Sequence, residues 1–184
     1  MNKQLEKIWE EIEFWNLTHL DESCGSYLND PATVDVINDL NNRLENKLPD
    51  DFLDSLRRHN GTVSWTVKFY EGTLLDAKSI LLELDEVRGV AKDLHDANLR
   101  DGDNSMDSLI CFGPVKNNLW SDYWIPFHVT DWSQTCFDFD PDIGGEMGQV
   151  ISVNWEGNSI KVIAKNYLEF LRLCADNLPD EIEE

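Results

Sequence analysis

The stretch that decides the fold reads WIPFHVTDWSQTCFDFDPDIGGEMGQVI and runs from Trp124 to Ile151. In Thr135–Asp140, aromatic side chains alternate with smaller or acidic ones, which is the period of a half-buried strand. Pro141 has no N–H for a sheet ladder and therefore ends this strand. Three glycines then permit a tight loop before a new strand starts at Gln149. The stretch predicts strand, loop and strand.

The same alternation predicts which side chains of this strand face the solvent. Phe137 and Phe139 fall on one face, and Asp138 and Asp140 fall on the other with Cys136. Trp124–Phe127 is bulky and apolar and indicates a further strand just before. We therefore expect a rigid sheet that buries aromatic side chains and presents carboxylates to the solvent.

Composition is that of a folded and strongly acidic protein. The 184 residues include seven Trp, eight Phe and four Tyr, whereas disordered chains are poor in aromatic residues. The formal net charge is −21, which serves solubility or attracts a basic partner. Direct binding to nucleic acid is disfavoured because phosphate recognition needs clustered Lys and Arg.

The acidic residues are concentrated around the deciding stretch. Between residues 101 and 160 the single basic residue is Lys116, against ten acidic ones: Asp101, Asp103, Asp107, Asp122, Asp131, Asp138, Asp140, Asp142, Glu146 and Glu156. Trp132 lies in a polar loop within this region and is either an interface anchor or folded back onto the sheet. The candidate partner-binding residues are Asp131, Trp132, Asp138, Asp140, Asp142 and Glu146.

Cysteine spacing and hydropathy indicate a cytoplasmic protein with reduced thiols. The four cysteines (Cys24, Cys111, Cys136, Cys174) are far apart and form no CxxC pair. We expect them to be buried thiols. The N-terminus has an amphipathic pattern and not the apolar core of a signal peptide, and no apolar run is long enough to span a membrane.

The remaining chain alternates between helical and strand patterns. Helices are predicted from Leu5 to about Asn16, from Asp30-Pro31 to about Leu48, after Pro49 to Arg58, from Ile80 to about Leu94, and from Tyr167 to about Asn177. Strands are predicted at Val63–Phe69 and Leu109–Phe112, and as a hairpin of 149–155 with 160–164. This order favours an α+β fold with one mainly antiparallel sheet flanked by helices.

No catalytic or metal-binding motif accompanies this fold. The pattern Asp138-x-Asp140-x-Asp142 was compared with the calcium-binding loop of an EF-hand. Such a loop has Gly at its sixth position and Glu at its twelfth, where this chain has Ile143 and Gln149. The histidines lie on separate elements, and His59, at a helix C-terminus, is assigned a structural role. We expect a non-enzymatic protein without cofactor or metal, with a hydrolase or metal-dependent enzyme as the weakest alternative.

An ordered set of short motifs resembles the SMI1/KNR4 family of the SUKH superfamily. The matching pieces are Leu48-Pro49-Asp50-Asp51-Phe52, His59-Asn60-Gly61, Trp124-Ile125-Pro126, Asp138-Phe139-Asp140-Pro141, Gly145-x-x-Gly148-Gln149-Val150-Ile151 and Ala164-Lys165-Asn166-Tyr167-Leu168-Glu169-Phe170-Leu171. The family often has a glycine in the turn before the Asp-x-Asp-Pro strand, where this chain has Asp131–Gln134. The resemblance implies one single-domain SUKH fold over residues 31–178, preceded by an N-terminal helix and connector (1–30) and followed by an acidic tail (179–184).

The resemblance also implies a function. Bacterial members look like immunity proteins that bind and neutralise a cognate toxin, often a nuclease, in polymorphic or contact-dependent toxin systems. Fungal members are regulators of cell-wall synthesis with long disordered arms, and a non-catalytic intracellular scaffold of that type is the alternative. We expect no such arms here, which favours the bacterial type. An acidic surface suits a basic toxin domain as partner.

Overall fold

The computed structural model describes residues 2–19, 26–45, 47–63, 72–101, 109–118 and 120–178. Within these ranges the chain forms five helices and six strands: α1 (Lys3–His19), α2 (Val34–Arg43), α3 (Asp50–Arg58), β1 (Thr73–Leu74), α4 (Ala77–Asp101), β2 (Ile110–Phe112), β3 (Trp124–Val129), β4 (Ser133–Asp138), β5 (Gln149–Asn154), β6 (Ser159–Ala164) and α5 (Tyr167–Asp176). The α+β prediction with a mainly antiparallel sheet is confirmed. None of the helices within these ranges is long and apolar enough to cross a membrane.

The elements belong to two compact units. The first combines α1, α2, α3 and β1 with the C-terminal α5. The second spans Lys78–Lys165 and holds nearly all of α4 together with strands β2 to β6.

Helix packing in the first unit follows the predicted amphipathic patterns. The apolar stripe of α1 is buried, and Trp9 Nε1 donates a 2.7 Å hydrogen bond to Ser55 Oγ on α3. Arg58 at the end of α3 donates two hydrogen bonds to Glu13, of 2.6 and 2.7 Å. His59 caps the same helix end, with Nε2 2.8 Å from Glu13 Oε1. The predicted position of His59 at a helix C-terminus is confirmed.

The predicted start of α2 is wrong. The cap is Thr33, whose side chain accepts from the Val36 N–H, and not Asp30. The backbone of residues 30–32 is bonded elsewhere, because Asp30 O accepts from Asn60 N and Ala32 N donates to Leu56 O. These bonds fix the segment beside α3, so the helix begins only after it.

The sheet of the second unit has the strand order β3-β4-β5-β6-β2. All neighbours are antiparallel except β2 and β6, which are parallel. The predicted β5–β6 hairpin is confirmed. A bulge between Pro126 and His128 interrupts the β3–β4 ladder, which is where a strand tolerates proline.

Two further predictions need correction or lie outside the described chain. Helix α4 extends from Ala77 to Asp101, beyond the expected 80–94, and Gly89 does not interrupt it. The strand predicted at Val63–Phe69 falls largely on residues outside the described ranges. Cys136 and Cys174 are buried thiols as predicted, Cys111 is half-buried, and Cys24 lies outside the described residues.

Candidate functional site

A row of three side chains crosses the end of the sheet where β4 finishes. Trp124 on β3 pairs with Asp138 on β4, and Asp138 pairs with Gln149 on β5. Directly paired residues point to the same face of a sheet, so the three side chains meet. All three are buried, and Asp138 is 0% exposed.

Asp138 is held by three hydrogen-bond donors. Its Oδ1 accepts from Trp124 Nε1 at 3.1 Å and from the backbone N–H of Asp140 at 3.0 Å. Its Oδ2 accepts from Gln149 Nε2 at 3.0 Å. Burial raises the pKa of Asp138 above its ordinary value, and these donors oppose that shift because they stabilise the carboxylate. Asp138 is therefore an internal acceptor that organises the chain around it.

The prediction that β4 presents Asp138 to the solvent is wrong. Both faces of β4 are covered: Cys136 and Phe137 are as buried as Asp138. Cys136 belongs to an apolar cluster with Trp124, Ile151, Val153, Ile160 and Val115. Alternation separates the two faces of a strand correctly, but it identifies a solvent face only when one face is uncovered.

Gln149 connects Asp138 to the loop after β4. Its Nε2 also donates to Pro114 O at 2.9 Å, and its Oε1 accepts from the backbone N–H of Glu146 at 3.3 Å. The Gly148 N–H donates to the backbone carbonyl of Asp138 at 2.7 Å. We call residues 140–147 the acidic loop. The start of this loop is hydrogen-bonded to the buried carboxylate of Asp138, and its end is hydrogen-bonded to the buried side-chain amide of Gln149.

Two glycines are required by the conformation of this loop. Gly148 has φ of +83°, in the left-handed region that favours glycine. A Cβ on Gly145 would lie 2.7 Å from Pro141 Cβ and 2.9 Å from both Pro114 O and Gln149 Oε1. The backbone at Gly145 therefore approaches its neighbours more closely than any side chain permits.

In the acidic loop, carboxylates and also large apolar side chains are exposed to the solvent. Asp142 and Glu146 are exposed, and half-exposed Asp140 accepts a 2.6 Å hydrogen bond from Lys116 Nζ. Ile143 is 98% exposed and Met147 is 78% exposed. The loop thus combines negative charge with apolar surface on a fixed backbone.

Trp132 lies at the opposite end of β4. It is 58% exposed and occupies a tight turn in which Thr130 N donates to Ser133 O at 2.9 Å. The backbone N–H of Trp132 donates to Thr130 Oγ1 at 3.2 Å. Trp132 is thus not folded back onto the sheet, and the neighbouring Asp131 is exposed as well.

The six candidate residues do not form one cluster. Asp138, Asp140, Asp142 and Glu146 lie at the C-terminal end of β4, and Asp131 and Trp132 lie before its start. The length of the strand separates the two groups by roughly 20 Å. Sequence reasoning missed Gln149, Ile143 and Met147. A glutamine that begins a strand, and two apolar residues in a glycine-rich loop, were the only signals for them.

The described part of the chain contains no group of three or more His, Cys, Asp or Glu side chains placed to hold a metal ion. Two aspartates of the site already have partners: Asp138 accepts from internal donors, and Asp140 accepts from Lys116. What this end of the sheet offers is a shaped, acidic and partly apolar protein surface.

Comparison with known proteins identifies the family. No curated protein matches the sequence significantly. The model of the SMI1 / KNR4 family (SUKH-1) matches residues 31–173, which is well over half of the chain. The matched region contains the whole Trp124–Asp138–Gln149 row and the acidic loop. The chain therefore belongs to the SMI1/KNR4 (SUKH-1) family.

Proposed function

We propose that this protein is an immunity protein that binds and neutralises a cognate toxin domain, acting in the cytoplasm without catalysis of its own. Membership of the SMI1/KNR4 (SUKH-1) family supports a function of this type. The observation that carries the proposal is the acidic loop, because it offers exposed carboxylates on a backbone fixed by Asp138 and Gln149.

The charge of the protein defines the kind of toxin. A net charge of −21 attracts a basic domain over several ångströms and speeds its association. Domains that bind nucleic acid carry such basic surfaces. We therefore propose a basic, nuclease-type toxin, whose phosphate-binding surface is covered by the carboxylates of Asp142 and Glu146, beside Asp140, which is paired with Lys116. Asp138 supports these residues from the interior and does not contact the toxin.

The Trp132 turn is a second proposed contact. Tryptophan is enriched among residues that dominate interface energies, and this one is largely exposed beside the exposed Asp131. The variant Trp132→Ser tests it. A loss of affinity with unchanged stability assigns the turn to the interface, and unchanged affinity removes it.

The test of the function is rescue combined with direct binding. A candidate toxin domain, sought among the genes beside the one for this protein, is expressed in a sensitive cell, with and without the protein, and the purified pair is titrated. Rescue with a one-to-one complex is expected. If the cell dies and no complex forms, the immunity function is wrong, and a scaffold of the fungal type becomes the better explanation.

Charge-neutral variants test the role of the carboxylates within that function. We expect Asp142→Asn with Glu146→Gln to slow association and flatten its dependence on salt. Glu6→Gln with Glu10→Gln is the matched control, because both residues are exposed on α1 and the net charge changes equally. Equal effects of the two double variants would show that total charge matters and the acidic loop does not.

A further inference from the structure

Two apolar side chains stand out from the acidic loop into the solvent. Ile143 is 98% exposed and Met147 is 78% exposed, although they are only four residues apart. Single exposed apolar residues are ordinary on protein surfaces. Here two lie in one short loop, next in sequence to the exposed carboxylates of Asp142 and Glu146.

The backbone beneath these side chains is fixed by hydrogen bonds. Asp142 N donates to Pro114 O at 3.2 Å, Gly145 N to Asp142 O at 2.9 Å, and Gln149 N to Glu146 O at 2.9 Å. A loop already held in one conformation loses little conformational entropy when it binds. Little of the free energy gained by burying Ile143 and Met147 would therefore be lost to ordering of the loop backbone.

Resting on the proposed function, we infer that Ile143 and Met147 are the apolar anchors of the complex and enter an apolar pocket rimmed by Lys and Arg on the toxin domain. Asp142 and Glu146 pair with that rim while the two apolar side chains leave water. The carboxylates set the association rate, and the anchors set the lifetime of the complex.

Charge selects this occupant over others. Anionic lipid would repel a loop that carries Asp142 and Glu146 on a protein of net charge −21. Nucleic acid is repelled for the same reason. A second copy of this chain brings the same negative charge to the contact. A basic protein domain with an apolar pocket complements both the charge and the apolar surface.

The test compares the unaltered protein with two variants for binding to the candidate toxin domain of the rescue experiment. We expect Ile143→Ser with Met147→Ser to weaken binding at least about tenfold, mainly through faster dissociation, with the salt dependence of association unchanged. Leu17→Ser is the matched control, because Leu17 on α1 is 78% exposed, the same fraction as Met147. It should change the dissociation constant by less than about twofold.

The outcomes separate the two proposals. If the unaltered protein binds the toxin but Ile143→Ser/Met147→Ser binds equally well, the anchors are wrong and the immunity function stands. If Leu17→Ser weakens binding as much as the loop variant, the anchors are equally wrong. If the unaltered protein does not bind, the proposed function fails and the anchors fail with it. Thermal unfolding of each variant confirms that its fold is unchanged.

Discussion

Gln149 lies directly across from Asp138 in the β4–β5 ladder, and its Nε2 donates to Asp138 Oδ2 at 3.0 Å. The other end of the same amide accepts from the N–H of Glu146. This pair joins the interior of the sheet to the acidic loop, which Asp138 also reaches directly through the backbone N–H of Asp140.

Asp138→Ala should destabilise the protein by about 2–4 kcal/mol, because it leaves Trp124 Nε1, Asp140 N and Gln149 Nε2 without their common acceptor in a buried place. Urea unfolding followed by tryptophan fluorescence measures this loss. Glu156→Ala, at an exposed carboxylate, is the control and should stay within about 0.5 kcal/mol. Equal losses for the two variants would contradict the role given to Asp138.

The raised pKa of Asp138 predicts a particular pH dependence. Because burial raises the pKa in the folded state, the folded protein binds this proton more tightly than the unfolded chain does. The contribution of Asp138 to the free energy of unfolding therefore falls as pH rises from its ordinary pKa through the raised one. We expect this pH dependence in the difference in free energy of unfolding between the unaltered protein and Asp138→Asn. A carbon NMR titration of the Asp138 carboxyl group measures its pKa directly. A titration below the ordinary value would refute the sign.

Glu13 predicts the opposite sign. Its hydrogen bond with Arg58 lowers its pKa, so the stability it contributes is present above the unfolded pKa and lost as pH falls through the folded one. Glu13→Gln should cost about 1–2 kcal/mol at neutral pH and nothing in acid. Glu11→Gln, which removes a more exposed pair with Arg172, should cost less than about 0.5 kcal/mol. Urea unfolding at neutral and at acid pH measures the cost of each variant. A cost of Glu13→Gln that persists in acid would contradict the lowered pKa of Glu13.

Two glycines should respond in opposite directions to the same substitution. Gly145→Ala should destabilise by about 1–3 kcal/mol, because the new Cβ meets Pro141 and the carbonyl of Pro114. Gly89→Ala should stabilise by about 0.5–1 kcal/mol, since Gly89 is inside α4 and a Cβ added there would meet nothing within 4 Å. Thermal unfolding of both variants is sufficient. A neutral Gly145→Ala would show that the loop is looser than its contacts indicate.

The sequence determined the elements whose signals are local. Helix α3 after Pro49, helix α5 at Tyr167 and the β5–β6 hairpin are specified by turn residues and apolar periodicity within a few residues, and they form where predicted. The start of α2 was misplaced because Asp30 is a good cap by type, while its backbone carbonyl is bonded to Asn60, just after α3. Local propensity gives no information about such a bond.

For the candidate site, the sequence determined the composition: carboxylates, glycines and Trp132 in the right stretch. Only the tertiary structure decided which of these side chains meet the solvent. Alternation along β4 places Asp138 opposite Phe137, but the ladder register brings Trp124 and Gln149 onto Asp138 and an apolar cluster covers that face. Ile143 and Met147 are exposed in a loop whose backbone is bonded to the distant Pro114 O through the N–H of Asp142. Burial depends on what packs over a residue, and the packing neighbours come from other strands.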